Sequence, residues 1–80
     1  MNEYAKFVEW MKQNSNQGTL CFNVVATEDI AQETGLDVAH VNSYLEQMEE
    51  AEDGFHYCYF TEQFGERGVE MCEFYWDYNL

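Results

Sequence analysis

Five carboxylates, Glu46, Glu49, Glu50, Glu52 and Asp53, crowd one short stretch of this chain. Carboxylates at that density suit two chemistries. They can hold a hard cation or present a row of negative charge to the Lys and Arg of another molecule. The EF-hand spacing of oxygen ligands and glycine is absent, so no calcium or magnesium site is expected. His40 and His56 lack the nearby Cys or His partners of a zinc site. Cys21, Cys58 and Cys72 are odd in number and form no CxxC pair. Cys58 and Cys72 could meet across a hairpin, although buried free thiols acting as small hydrophobes are the simpler expectation. Cys–His catalysis needs a nucleophile and base oriented in a pocket. No motif or glycine-rich loop here supplies one, so the chain is not expected to be an enzyme and no cofactor or metal is implied. The row of charge offered to a partner remains. A charge run is also the ordinary appearance of a solvated helix end. Carboxylates at a helix C-terminus oppose the dipole, however, and a placement that lowers stability is one that a role would explain.

The rest of the chain extends that charge. Sixteen Asp and Glu face three cations, Lys6, Lys12 and Arg67, for a formal net charge of -13. A magnitude of about 2–8 already keeps a small domain soluble, and more adds self-repulsion. A halophilic source would account for the excess, and so would a function. Anionic membranes and bare nucleic acid become poor partners, and a basic protein or nucleoprotein complex becomes a good one. No apolar run approaches the roughly 18 residues that cross a bilayer. The N-terminus has neither a basic nor an apolar signal region, so a cytoplasmic location is expected.

Residues 1–80 read as one domain, with 46% hydrophobic and 18% aromatic residues to build a small core. Tyr4, Phe7, Val8 and Met11 follow helical spacing, with Trp10 widening the face and Asn2 as N-cap. The run 14–18 ends that helix in a loop. Residues 19–25 alternate, with Leu20, Phe22 and Val24 on one side of a short strand. Thr27 is expected to cap a second helix with Glu28 and Asp29 in its first turn and Ile30 and Ala31 inward. Gly35 fits a left-handed helix stop with Leu36 beneath it, and Asp37 caps a third helix. Val38, Val41, Tyr44, Leu45 and Met48 form that helix's buried face. After the Asp53-Gly54 turn, residues 55–61 and 69–76 read as a β-hairpin with a long glycine-containing tip over 62–68.

The stretch from Asp29 through Leu45, with Asp29, Ile30, Ala31, Gly35, Leu36, Val41 and Leu45 at the pattern positions, resembles the winged helix-turn-helix family. The order helix, strand, helix, helix, β-hairpin supports the same α+β class, with the hairpin as the wing. The resemblance implies a third helix that enters the DNA major groove and a wing tip that touches backbone or minor groove. His40, Asn42, Ser43 and Gln47 would then reach bases, with Arg67 at the wing tip. Asn, Ser and Gln can contact bases, but no Lys or Arg supports them between Gln13 and Glu66. Duplex DNA presents one negative charge per about 1.7 Å, and Glu46, Glu49, Glu50, Glu52 and Asp53 would face it.

The hairpin offers a second surface. Phe55, Tyr57 and Tyr59 lie on one face, and His56, Cys58 and Phe60 on the other. In the return strand, Val69 and Met71 oppose Cys72, Phe74 and Trp76. One face covers the helices and the other leaves aromatics in solvent, a mark of binding sites. His56 is expected to pack beside Tyr57 or Cys58. Tyr75, Trp76 and Tyr78 add amphipathic aromatics, with one buried and another at an interface. These features predict an acidic winged-helix protein that binds a protein partner and blocks or modulates its nucleic-acid-binding surface. Small acidic proteins of this type resemble phage and mobile-element inhibitors: anti-CRISPR proteins, anti-restriction DNA mimics and antirepressors. Two rivals stand beside that expectation. One is a homodimeric DNA-binding regulator using the third helix and Arg67. The other is an adaptor that oligomerises through the aromatic hairpin.

Overall fold

Asn2 starts the first helix. Its Oδ1 accepts from the Ala5 N–H at 2.7 Å, which satisfies one of the orphan donors of a helix N-terminus. Helix α1 then runs Glu3–Gln13 and buries Phe7 and Met11. The computed structural model describes residues 2–16 and 22–77. Strand β1 (Phe22–Ala26), helices α2 (Thr27–Thr34) and α3 (Val38–Glu50), and strands β2 (Phe55–Phe64) and β3 (Arg67–Trp76) follow. The molecule is α+β, with three helices over an antiparallel sheet of order β1-β3-β2. Leu20, Cys21 and Tyr78 lie outside the described residues.

The turn between α2 and α3 follows the sequence. Gly35 has φ +76°, Leu36 donates its N–H to the Ala31 carbonyl at 3.0 Å, and the Leu36 side chain packs on the core. Asp37 Oδ1 accepts from the His40 N–H at 2.7 Å and caps α3. Val41, Leu45 and Met48 are buried, Tyr44 is half-buried, and Val38, in the opening turn of the helix, is exposed.

Two expectations are corrected. Thr27 does not cap α2. The strand passes into the helix without a loop, Ala26 takes the cap position with no side-chain bond, and Thr27 is carried inside. The hairpin tip is short. The strands run through most of 62–68 until Phe64 pairs with Arg67, leaving Gly65 and Glu66 as the turn. Of these two only Gly65 has positive φ (+63°), the sign pattern of a type II′ turn, whose twist matches the strands. For β1, where alternation left the inner side open, the side with Phe22 and Val24 faces out. Phe22 and Val24 pair with Tyr75 and Glu73 on the outer face, while Asn23 and Val25 share the inner face with Phe74 and Cys72.

The core lies between the helices and the inner sheet face. Trp76, Phe55, Met11, Ile30, Leu45 and Val41 are all below 2% exposed. The Trp76 ring centroid is 4.9 Å from that of Phe55, and its indole N–H donates to Ser15 Oγ at 3.2 Å. Asn16 and Asn23 exchange two hydrogen bonds that tie the end of α1 to β1. Among the described residues no helix is long and apolar enough to cross a membrane.

Candidate functional site

The acidic stretch spans the last turn of α3 and the turn that follows. Glu46, Glu49 and Glu50 lie on the helix and Glu52 and Asp53 beyond it, all exposed. The placement of Glu52 is unusual. It closes the helix with φ +57°, the only non-glycine residue at positive φ among those described, and donates its N–H to the Glu49 carbonyl at 3.2 Å. A side chain there is disfavoured by about 1 kcal/mol or more relative to ordinary backbone, and glycine would relieve it. Asp53 leads into Gly54, at φ +90°, whose carbonyl accepts from the Asp77 N–H at 2.7 Å. The acidic turn is therefore clamped to the end of β3. Glu49 has a further task, since its Oε2 accepts from the Tyr57 N–H at 3.4 Å and lies 4.0 Å from His56 Nδ1.

Of the three cations, Lys12 borders this surface, lining a cleft with Ala51 and Asp53. Lys12 Nζ sits 5.6 Å from the centroid of the Trp76 ring. Arg67 Nη2 lies 2.7 Å from both carboxylate oxygens of Glu28, so the hairpin end is fastened to the first turn of α2. Lys6 lines a cleft between α1 and the Gly35 turn, together with Glu3, Trp10 and Glu33.

The polar residues that would read DNA are likewise engaged within the chain. Asn42 Oδ1 accepts from the Tyr59 hydroxyl at 2.6 Å, and Gln47 Nε2 donates to Ser43 Oγ at 3.4 Å. His40 Nδ1 lies 2.9 Å from Asp37 Oδ1. That hydrogen bond raises the His40 pKa, and the two bonds from His40, its backbone N–H first, lower that of Asp37. Tyr44 donates to Glu3 Oε1 at 2.6 Å, which links α3 to α1 and raises the tyrosine pKa. Burial, then the carboxylate of Glu49, raises that of Tyr57.

Of the interface aromatics, Trp76 is a core residue and is not available to a partner, at 1% exposure. It occupies an inner-face position of the central strand, where alternation sends it under the helices. Tyr75 points the other way and is half-buried, its ring 5.1 Å from Phe22 and stacked at 5.2 Å on His56. His56 thus packs across the sheet and not along its own strand. The outer face also exposes Val24, Phe60 and Phe64. The contribution of β1 to this apolar face was not foreseen, because alternation gives two sides without saying which is inner.

Cys58 and Cys72 are both free. They sit on opposite faces, Cys58 opposite Glu73 and Cys72 opposite Tyr59. Burial pushes the Cys72 thiol up to about 12, which makes it a packing group rather than a nucleophile. Among the described residues no three His, Cys, Asp or Glu side chains converge as a metal site would require. The arrangement can therefore present charge and apolar area. Compared with protein-family models, characterised proteins and solved structures, the chain matches none.

Proposed function

We propose that this protein is a non-enzymatic, winged-helix-type module that binds a basic protein or nucleoprotein complex through the acidic end of α3, and so obstructs that partner's nucleic-acid site. The element order and the sheet order β1-β3-β2 support the winged-helix assignment, with β2 and β3 as the wing. One observation carries the function. The surface that would face DNA displays Glu46, Glu49, Glu50, Glu52 and Asp53, one of them at a disfavoured φ, while Arg67 is held by Glu28 and Lys12 lies on Trp76. A backbone outlier retained at an exposed charged residue is the kind of strain that function explains. Association would be electrostatically steered, fastest at low salt. Inhibitors of the anti-CRISPR, anti-restriction or antirepressor kind work by such competition, and a cytoplasmic setting would suit it.

The test has two arms. Random duplex DNA should show no electrophoretic shift with the isolated protein at physiological salt. A basic nucleic-acid-binding partner, captured from the native host, should release its DNA when the protein is added. Glu49→Gln, Glu50→Gln and Glu52→Gln together should weaken that release and flatten its salt dependence, since exposed pairs are screened within about 10 Å at 0.1 M salt. Tight, sequence-selective duplex binding would sink the proposal in favour of a DNA-binding regulator. Unchanged competition by the triple variant would reduce the acidic end to a solvated helix terminus.

A further inference from the structure

The outer edge of β2 carries hydrogen-bonding groups that the fold does not use. In an antiparallel ladder, alternate residues of an edge strand turn both backbone groups toward the neighbouring strand, and those between turn both outward. Two bonds establish the phase. Asp77 donates its N–H to the Gly54 carbonyl, so that pair belongs to the ladder, and the Tyr57 N–H leaves the ladder to reach Glu49. By alternation Tyr57, Tyr59, Thr61 and Gln63 all face outward. Helix α3 supplies an acceptor for Tyr57 alone. Among the described residues nothing bonds the outward N–H of Tyr59, Thr61 or Gln63. The usual protections of an edge strand are also missing, because β2 contains no proline and no lysine. In a chain with 16 acidic residues, Glu62 is the sole carboxylate of this ten-residue strand.

We infer that a second copy of this chain adds to this edge, β2 against β2 about a two-fold axis, to make one antiparallel sheet from two three-stranded ones. A row of alternating N–H and C=O groups accepts an extended strand and little else. The strand is its own complement. With the axis at Thr61, each outward residue meets an outward residue of the second copy: Tyr59 meets Gln63, and Thr61 meets Thr61. Glu62 then lies opposite Phe60, so no carboxylate directly faces another, and the exposed Phe64 lies opposite Cys58. Thr–Thr and mixed apolar cross-strand pairs are favourable. This register also leaves the bond between Tyr57 and Glu49 in place. The charge of -13 on each copy opposes association, so the dimer should tighten as salt rises, whereas binding to a basic protein should weaken. Self-association and basic-partner binding therefore fail separately.

Sedimentation equilibrium of the full chain, over a range of concentrations at low salt and at about 1 M salt, tests this. A concentration-dependent dimer that strengthens with salt is expected. Thr61→Pro removes the outward N–H at the axis from both copies. Proline is tolerated on an edge strand when its nitrogen faces solvent, so the β2–β3 ladder should survive. Losing those two bonds should weaken the dimer by about tenfold or more. Thr61→Glu and Thr61→Lys each set like charges opposite each other across the axis and should dissociate, and mixing the two should restore a heterodimer. That mixture keeps the test decisive if the proline variant does not fold. A monomer at every concentration in high salt overturns the inference. So does a dimer indifferent to all three substitutions, or a mixture that associates no better than its components.

Discussion

Gly54→Ala should be far more damaging than the same change at Gly35 or Gly65, although all three glycines have positive φ. At Gly35 (φ +76°) and Gly65 (φ +63°) an added Cβ meets nothing within 4 Å. Only the left-handed backbone opposes alanine there, at roughly 1–2 kcal/mol. At Gly54 (φ +90°) the added Cβ would lie 2.1 Å from the Asp77 carbonyl oxygen and 3.0 Å from its carbon. These are backbone atoms with no rotamer to give way. Relief requires the chain after Trp76 to move off, which breaks the Asp77-to-Gly54 hydrogen bond, worth about 1 kcal/mol net. It also disturbs Phe55 and Trp76, each 1% exposed, at an overpacking penalty of about 1–3 kcal/mol. Gly54→Ala should therefore lose about 3–6 kcal/mol against about 1–2 at the other two sites. For a domain of this size each kcal/mol moves Tm by about 4–8 °C, so thermal unfolding followed by circular dichroism separates the cases. Equal losses at Gly54 and Gly35 would show that the contact relaxes without penalty, and that the acidic turn is not clamped to β3 as described.

Two further outcomes concern polar groups. The Thr27 hydroxyl is buried with no hydrogen-bond partner among the described residues, so Thr27→Val, of nearly the same shape, should leave stability unchanged or raise it by about 1–2 kcal/mol in urea unfolding. The Asp37–His40 pair should give α3 a pH window. The raised His40 pKa contributes stability below its ordinary value of 6.5 that is lost as pH climbs through the folded value. The lowered Asp37 pKa contributes stability above 3.8 that is lost as pH falls through its folded value. The contribution is greatest between those ordinary values, and the difference in unfolding midpoint between the parent and His40→Ala should peak there. A difference that does not vary with pH would remove the coupling.

The helical part of the fold was legible because its signals are local. Asn2 and Asp37 cap through their own side chains, Gly35 takes the conformation that glycine alone adopts freely, and Val41, Leu45 and Met48 follow the helical period. The sheet was less legible because its decisive facts are relational. Which side of β1 faces inward depends on its register with β3, some fifty residues away, and nothing in residues 22–26 encodes it. The hairpin tip appeared long because polar residues and glycines look like loop, yet ladder bonds do not depend on side-chain polarity. For the candidate site, the acidic stretch was visible as composition. The left-handed Glu52 was not, since glutamate carries no local preference for it. Nor was the capture of Arg67 by Glu28, an ion pair across the fold.

The sheet order has a consequence for how the molecule comes into being. Its middle strand is β3, the last of the described elements in the chain. A ribosome delivers α1, β1, α2, α3 and β2 before either flanking strand has anything to pair with. Until residues 67–76 emerge, the aromatic β2 is a bare ribbon on a growing chain, and β1 cannot find its register at all. Completion of the sheet thus waits until residues 67–76 have emerged. The dense negative charge would meanwhile keep neighbouring nascent chains apart during the interval when β2 is most exposed to them.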